Sequence, residues 1–162
     1  MTQPIASATD IELDEVDRCI LALLQQDASL TNQALAERVG ASPATTLRRV
    51  RRLREAGVIE REVALLAPRW TDAGLSAIVE VSLQAQTEEL LAGFEARCSA
   101  ETAVQQCYRV SAGPDIVLVL HVPDMPAYQA LAARLFSDRA AVRNVRTFFV
   151  TKRSKFEPRV AV

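Results

Sequence analysis

The stretch from Ser42 to Gly57, SPATTLRRVRRLREAG, carries the clearest chemistry in the chain. A helical step of 100° per residue sets Leu47, Val50 and Leu53 on one face and Thr45, Arg48 and Arg52 near the opposite one, with Arg49 on the flank. An arginine fork pairs bidentately with guanine O6 and N7 or with phosphate. A threonine offers a hydroxyl to base edges and a methyl to thymine. Ser42, Thr45, Thr46, Arg48, Arg49 and Arg52 are therefore the candidate contacts to double-stranded DNA, and loss of Arg48 and Arg52 should abolish specific binding. Arg51 and Arg54 fall nearer the apolar side. Their stems are expected to pack and their heads to reach phosphate or solvent rather than bases.

Other constellations are weaker. The only histidine, His121, ends an apolar strand and reads as structural, no serine lies in G-x-S-x-G, and no activating partner for Cys107 is visible, so no catalytic residue is named. Cys19, Cys98 and Cys107 form no C-x-x-C and read as free thiols, and no metal-ligand spacing or phosphate-cradling loop occurs, so neither a metal nor a cofactor is expected. One turn stands out, Ser111-Ala112-Gly113-Pro114-Asp115. There the Gly113 backbone can approach a ligand and Asp115 can pair with an ammonium, although a plain hairpin turn would use the same residues.

These groups must be positioned by regular elements. Residues 1–10 lack apolar periodicity and read as a flexible tail. From Leu13 the steps to Val16, Ile20, Leu23 and Leu24 are helical, ending near Asp27. Thr31 caps a short second helix closed by Gly40, and Ser42-Pro43 opens the third after a three-residue turn, which makes a helix-turn-helix over 11–60. Residues 61–74 read as an extended linker with a loop from Pro68 to Gly74. Beyond it, alternation predicts strands over 76–84 and Val104 to Val110, a strand buried on both faces over Ile116 to Leu120, and a last strand from Val145 to Lys152. Helices are predicted from Thr87 and from the Asp124 cap. The order β-α-β-β-α-β makes 75–162 a ferredoxin-like domain, and the whole chain α+β.

Composition narrows the function. The 162 residues carry 19 Lys+Arg against 20 Asp+Glu, a formal net charge of -1, so any surface for a polyanion must be local. It is local. Residues 1–37 hold a single basic side chain, Arg18, whereas 38–61 hold seven arginines against Glu55 and Glu60. No apolar run approaches the roughly 20 residues of a membrane span, and a cytoplasmic protein is expected.

From Leu13 to about Arg159 the chain resembles the Lrp/AsnC family of feast/famine transcription regulators. The resemblance rests on Leu13-Asp14-x-x-Asp17-x-x-Ile20-Leu21, Leu35-Ala36-x-x-Val39-Gly40-x-Ser42-Pro43 and Arg49-Val50-x-x-Leu53-x-x-x-Gly57-Val58-Ile59, then on Val122-Pro123-Asp124-Met125-x-x-Tyr128 and Arg146-Thr147-Phe148. It implies a winged-helix-like N-terminal domain, a β-linker, and a C-terminal domain that dimerises, binds an amino-acid effector and supports octamers. The candidate effector residues are Ser111, Ala112, Gly113, Asp115, Met125 and Phe149. One departure is Ala112, where the family usually has glycine. The expectation is a sequence-specific regulator whose homodimer reads a pseudo-palindromic operator. Its rivals are an oligomeric DNA-architectural protein, an enzyme on the same fold, and a ligand-independent regulator that has lost its effector site.

Overall fold

The computed structural model describes residues 11–67 and 74–162. The expected tail at 1–10 and all of the Pro68 to Gly74 loop but its last residue lie outside them. Contacts group the chain into two units, residues up to Leu65 together with Lys155–Val162, and Leu66–Ser154.

Three helices build the first unit: α1 (Glu15–Gln26), α2 (Asn32–Val39) and α3 (Pro43–Glu55). Each begins at a side-chain cap that satisfies an otherwise orphaned N–H. Asp14 accepts from the Asp17 N–H at 2.9 Å in a capping box, Thr31 accepts from Ala34, and Ser42 accepts from Thr45 with Pro43 behind it. Gly40 closes α2 at φ 66°, a left-handed conformation that L side chains resist. Ile20, Leu21, Leu35, Val50 and Leu53 form the core, with Val58 and Ile59 packed beside them. Residues 60–67 form no strand, and Val63, Leu65 and Leu66 are exposed. The C-terminal segment returns to this unit. The Gln25 side-chain amide donates to the Val160 carbonyl at 3.0 Å and accepts from its N–H at 2.8 Å, as a neighbouring strand would.

The second unit is a four-stranded antiparallel sheet in the order β2-β3-β1-β4, made of β1 (Leu75–Leu83), β2 (Val104–Arg109), β3 (Ile116–Val122) and β4 (Val142–Phe149). Helices α4 (Glu88–Ala100) and α5 (Met125–Phe136) cover one face. Ala77, Val79, Val81 and Leu83 of β1 and Ile116, Leu118, Leu120 and Val122 of β3 point into that core with Phe94, Leu131 and Leu135.

Two strand expectations change. β3 is buried on one face only, because Val117, Val119 and His121 alternate onto the face that no helix covers. The last strand runs Val142–Phe149 rather than Val145 to Lys152, because Val142 pairs with Leu83 beyond a bulge and buries under the core. The Nδ1 of His121 lies 3.1 Å from the Ser76 hydroxyl.

Candidate DNA interface and effector site

α3 meets the core through Thr46, Val50 and Leu53. The apolar face is thus rotated from the expected one. Thr46 is fully buried, whereas Leu47 is 48% exposed. This rotation, roughly 40° at 100° per residue, turns Ala44, Arg48 and Arg51 outward and Thr45, Arg49 and Arg52 toward α1.

The consequences for the arginines are specific. Arg49 donates through Nη1 to Asp14 at 2.7 Å and to Asp17 at 2.8 Å, and Arg52 donates through Nη2 to the other Asp17 oxygen. Asp17 is fully buried, so one carboxylate beneath α1 holds two guanidinium groups of α3. Its hydrogen bonds raise the Arg49 pKa, with those to Asp14 adding to the effect. The Asp14 carboxyl is lowered first by the Asp17 N–H and then by Arg49. Arg54 pairs with Glu62 at 2.6 Å. Arg48 and Arg51 are exposed and make no ion pair among the described residues.

Of the six DNA candidates, Ser42 is exposed but its hydroxyl is occupied as a cap. Thr45 is half-buried, with its hydroxyl bonded to Ser42 at 2.9 Å. Thr46 faces inward, Arg49 and Arg52 are tethered, and Arg48 alone is both exposed and unpaired. Leu47, expected in the core, is exposed, and Arg51, expected to pack its stem, is exposed beside it. The inward residue is Thr46 instead, which a hydropathy pattern hides.

The effector candidates fall into two groups. Ser111, Ala112 and Gly113 form the exposed tip between β2 and β3, with φ of 66° at Ala112 and 102° at Gly113. Ala112 is the one non-glycine residue with positive φ among those described. It holds the left-handed backbone that glycine would adopt without strain. Asp115, 5% exposed, accepts the Leu83 N–H at 2.7 Å and the Gln86 amide at 2.7 Å, so both its oxygens are used to pin the hairpin to the end of β1. Asp115→Ala should therefore lower stability by about 1–3 kcal/mol, the cost of orphaning buried donors. A thermal melt checks this, and an unchanged midpoint would show that the two bonds carry no weight.

Met125 and Phe149 sit at the other end of the sheet. Met125 starts α5 behind the Asp124 cap, and Phe149 pairs with Ala77 and meets the Tyr128 ring edge-on at 5.0 Å. Tyr128 is fixed in turn by the Thr147 hydroxyl at 2.6 Å. Asp115 and the Leu120 level of β3, where Phe149 lies, are five residues apart, roughly 16 Å along the strand. Within one chain the two groups do not meet.

No group of His, Cys, Asp and Glu fit to hold a metal occurs among the described residues, and none of their helices is long and apolar enough to cross a membrane.

Comparison with known proteins gives this arrangement a context. Residues 13–60 match the winged helix-turn-helix DNA-binding model, and residues 76–160 match the Lrp/AsnC ligand binding domain. The Leucine-responsive regulatory proteins of Salmonella typhimurium and Escherichia coli K12 are each 36% identical over 151 residues, covering 93% of this chain and 92% of theirs. An AsnC family transcriptional regulator from Agrobacterium tumefaciens superposes with TM-score 0.81 at 32% identity, covering 91% of this chain and 96% of its own. A Neisseria meningitidis transcriptional regulator, solved as an L-Met complex, superposes with TM-score 0.80 at 31% identity, covering 91% and 95%. Both matched models describe binding modules. With a capped helix-turn-helix that precedes a ferredoxin-like ligand-binding domain in the sequence, the chain belongs to the Lrp/AsnC family of DNA-binding transcriptional regulators.

Proposed function

We propose that the protein is a cytoplasmic, sequence-specific regulator, not a catalyst, that reads a pseudo-palindromic operator with Arg48, Arg51 and Leu47 of α3 and responds to an amino acid. The observation that carries the reading is the pair Arg48 and Arg51, exposed and without ion-pair partners among the described residues, on a helix whose other arginines are tethered. Leu47 beside them presents methyl groups suited to a thymine methyl. Thr46 is excluded from contact by its burial, and Arg49 and Arg52 support the helix.

The partner is a second copy of the chain. Ile78, Tyr108 and Phe148 are exposed on the helix-free sheet face, next to the half-buried Val117 and Val119. Such a face suits a homodimer, with octamers as a further assembly. The L-Met complex of the Neisseria protein supports an amino-acid effector here. An amino acid is too short to join the Ser111–Gly113 tip to Met125 and Phe149 within one chain, so a site using both groups draws them from different copies. Ala112 narrows the tip by one methyl relative to glycine.

A fluorescence-anisotropy titration tests the reading, with DNA from upstream of the protein's own gene against a scrambled duplex, at fixed salt, with and without pooled amino acids. Fixed salt matters because phosphate contacts alone give affinity. Preference for the native duplex by about 10³ or more is expected, with a shift on adding the pool. Equal binding to both duplexes would replace this reading with the architectural one. A preference that ignores the pool would mean a regulator without an effector.

A further inference from the structure

The sequence separates Cys98 and Cys107 by eight residues and suggests no link between them, but the fold brings them together. Cys98 lies on the inner face of α4, fully buried, and Cys107 lies on the edge strand β2, paired with Leu118 and facing the same core. Both are free thiols in one core cluster, and each is the largest influence on the ionisation of the other. Cys107 is only partly buried, whereas Cys98 is fully buried. Arg109, two residues on, already clamps β2 to α4 through Glu88 at 2.7 Å and Glu95 at 2.8 Å, which holds the backbones of the two cysteines in place.

We propose that Cys98 and Cys107 form a peroxide-sensitive dithiol in the ligand-binding domain, with Cys107 as the reacting thiol and Cys98 as the resolving one. The interaction with Cys98 lowers the Cys107 pKa, while the same interaction and burial raise that of Cys98. The thiolate is the nucleophile, so Cys107 reacts first. Its sulfur attacks one peroxide oxygen. An S–O bond forms, the O–O bond breaks, and the departing hydroxide takes a proton to become water, leaving a sulfenic acid on Cys107. The Cys98 sulfur then attacks the Cys107 sulfur. The S–S bond forms, the S–O bond breaks, and the Cys98 proton leaves with the hydroxide as a second water. Two thiols lose two electrons and two protons, and the peroxide is reduced to two waters. A dithiol reductant reverses the oxidation. The product would rivet β2 to α4 beside the Val110–Asp115 hairpin.

The test uses the full chain carrying Cys19→Ser, which removes the third, exposed thiol. Hydrogen peroxide is added at pH 7, unreacted thiols are blocked with N-ethylmaleimide, and intact mass and non-reducing peptide maps are read. The expected product has lost two hydrogens, takes up no maleimide, and links the two cysteine-containing peptides. Adding Cys98→Ala should leave a sulfenic acid on Cys107 that dimedone labels. Its formation should be slower than in the protein that keeps Cys98, because less of Cys107 is thiolate once the interaction with Cys98 is lost. Protein that gains oxygen without linkage, or that keeps both thiols under excess peroxide, would overturn the proposal. Dimedone labelling of Cys98 in Cys107→Ser protein would reverse the assigned roles and overturn it equally. Should Cys98→Ala fail to fold, the mass and linkage of the Cys19→Ser protein still decide.

Discussion

Protein carrying Arg48→Ala and Arg51→Ala together is expected to fold normally and lose its specific operator binding. A bidentate arginine–guanine contact is worth about 1–3 kcal/mol, so the pair accounts for about 2–6 kcal/mol, thirtyfold or more in affinity. Neither side chain has an ion-pair partner among the described residues, and both are exposed, so the melting midpoint should hold. Arg52→Ala would differ. Its guanidinium answers the buried Asp17, so that change should act on stability before it acts on DNA. Salt dependence separates two roles for Arg48 and Arg51. A base reader loses sequence preference, whereas a phosphate contact lowers affinity evenly and reduces the salt slope by about one per arginine. Affinity within twofold of the wild type, with unchanged preference, would remove α3 as the reading element.

The pattern of legibility follows from the range of the interactions involved. Caps are local, so Thr31, Ser42-Pro43 and Asp124 marked their helices, and Gly40 marked the end of α2. Alternation is local too, and it located β1 to within a residue. The facing of α3 is not local. Thr46 is fully buried, and its apolar neighbour Leu47 is the residue a hydropathy pattern puts inside. Ion pairs across 32 and 35 residues, from Arg49 and Arg52 to Asp17, have no sequence signature beyond an acidic first helix and a basic third. The same holds for the effector candidates. Asp115 stands next to the hairpin tip in the chain, but its carboxylate is committed to Leu83 and Gln86, 32 and 29 residues away.

Asp17→Ala should destabilise the first unit through two contacts at once. The carboxylate accepts Arg49 and Arg52 and also receives the Asp14 N–H, completing the capping box of α1, so one truncation disturbs a helix start and the α1–α3 contact together. Removing one partner of a buried pair costs about 3–5 kcal/mol; Arg49 keeps Asp14 and Arg52 is half exposed, which brings the expectation to about 2–3 kcal/mol. For a domain of this size that corresponds to a fall in melting midpoint of roughly 10–20 °C by circular dichroism. Acid should produce part of the same effect. Because the folded Asp14 pKa lies below its ordinary 3.8, the stability it contributes is fully present above that value and is lost as pH falls through the folded one. Wild-type midpoints should therefore decline below pH 3.8 more steeply than those of Asp14→Ala protein. A midpoint for Asp17→Ala within roughly 3 °C of the wild type at neutral pH would mean that the α1–α3 contact rests on its leucines and valines alone.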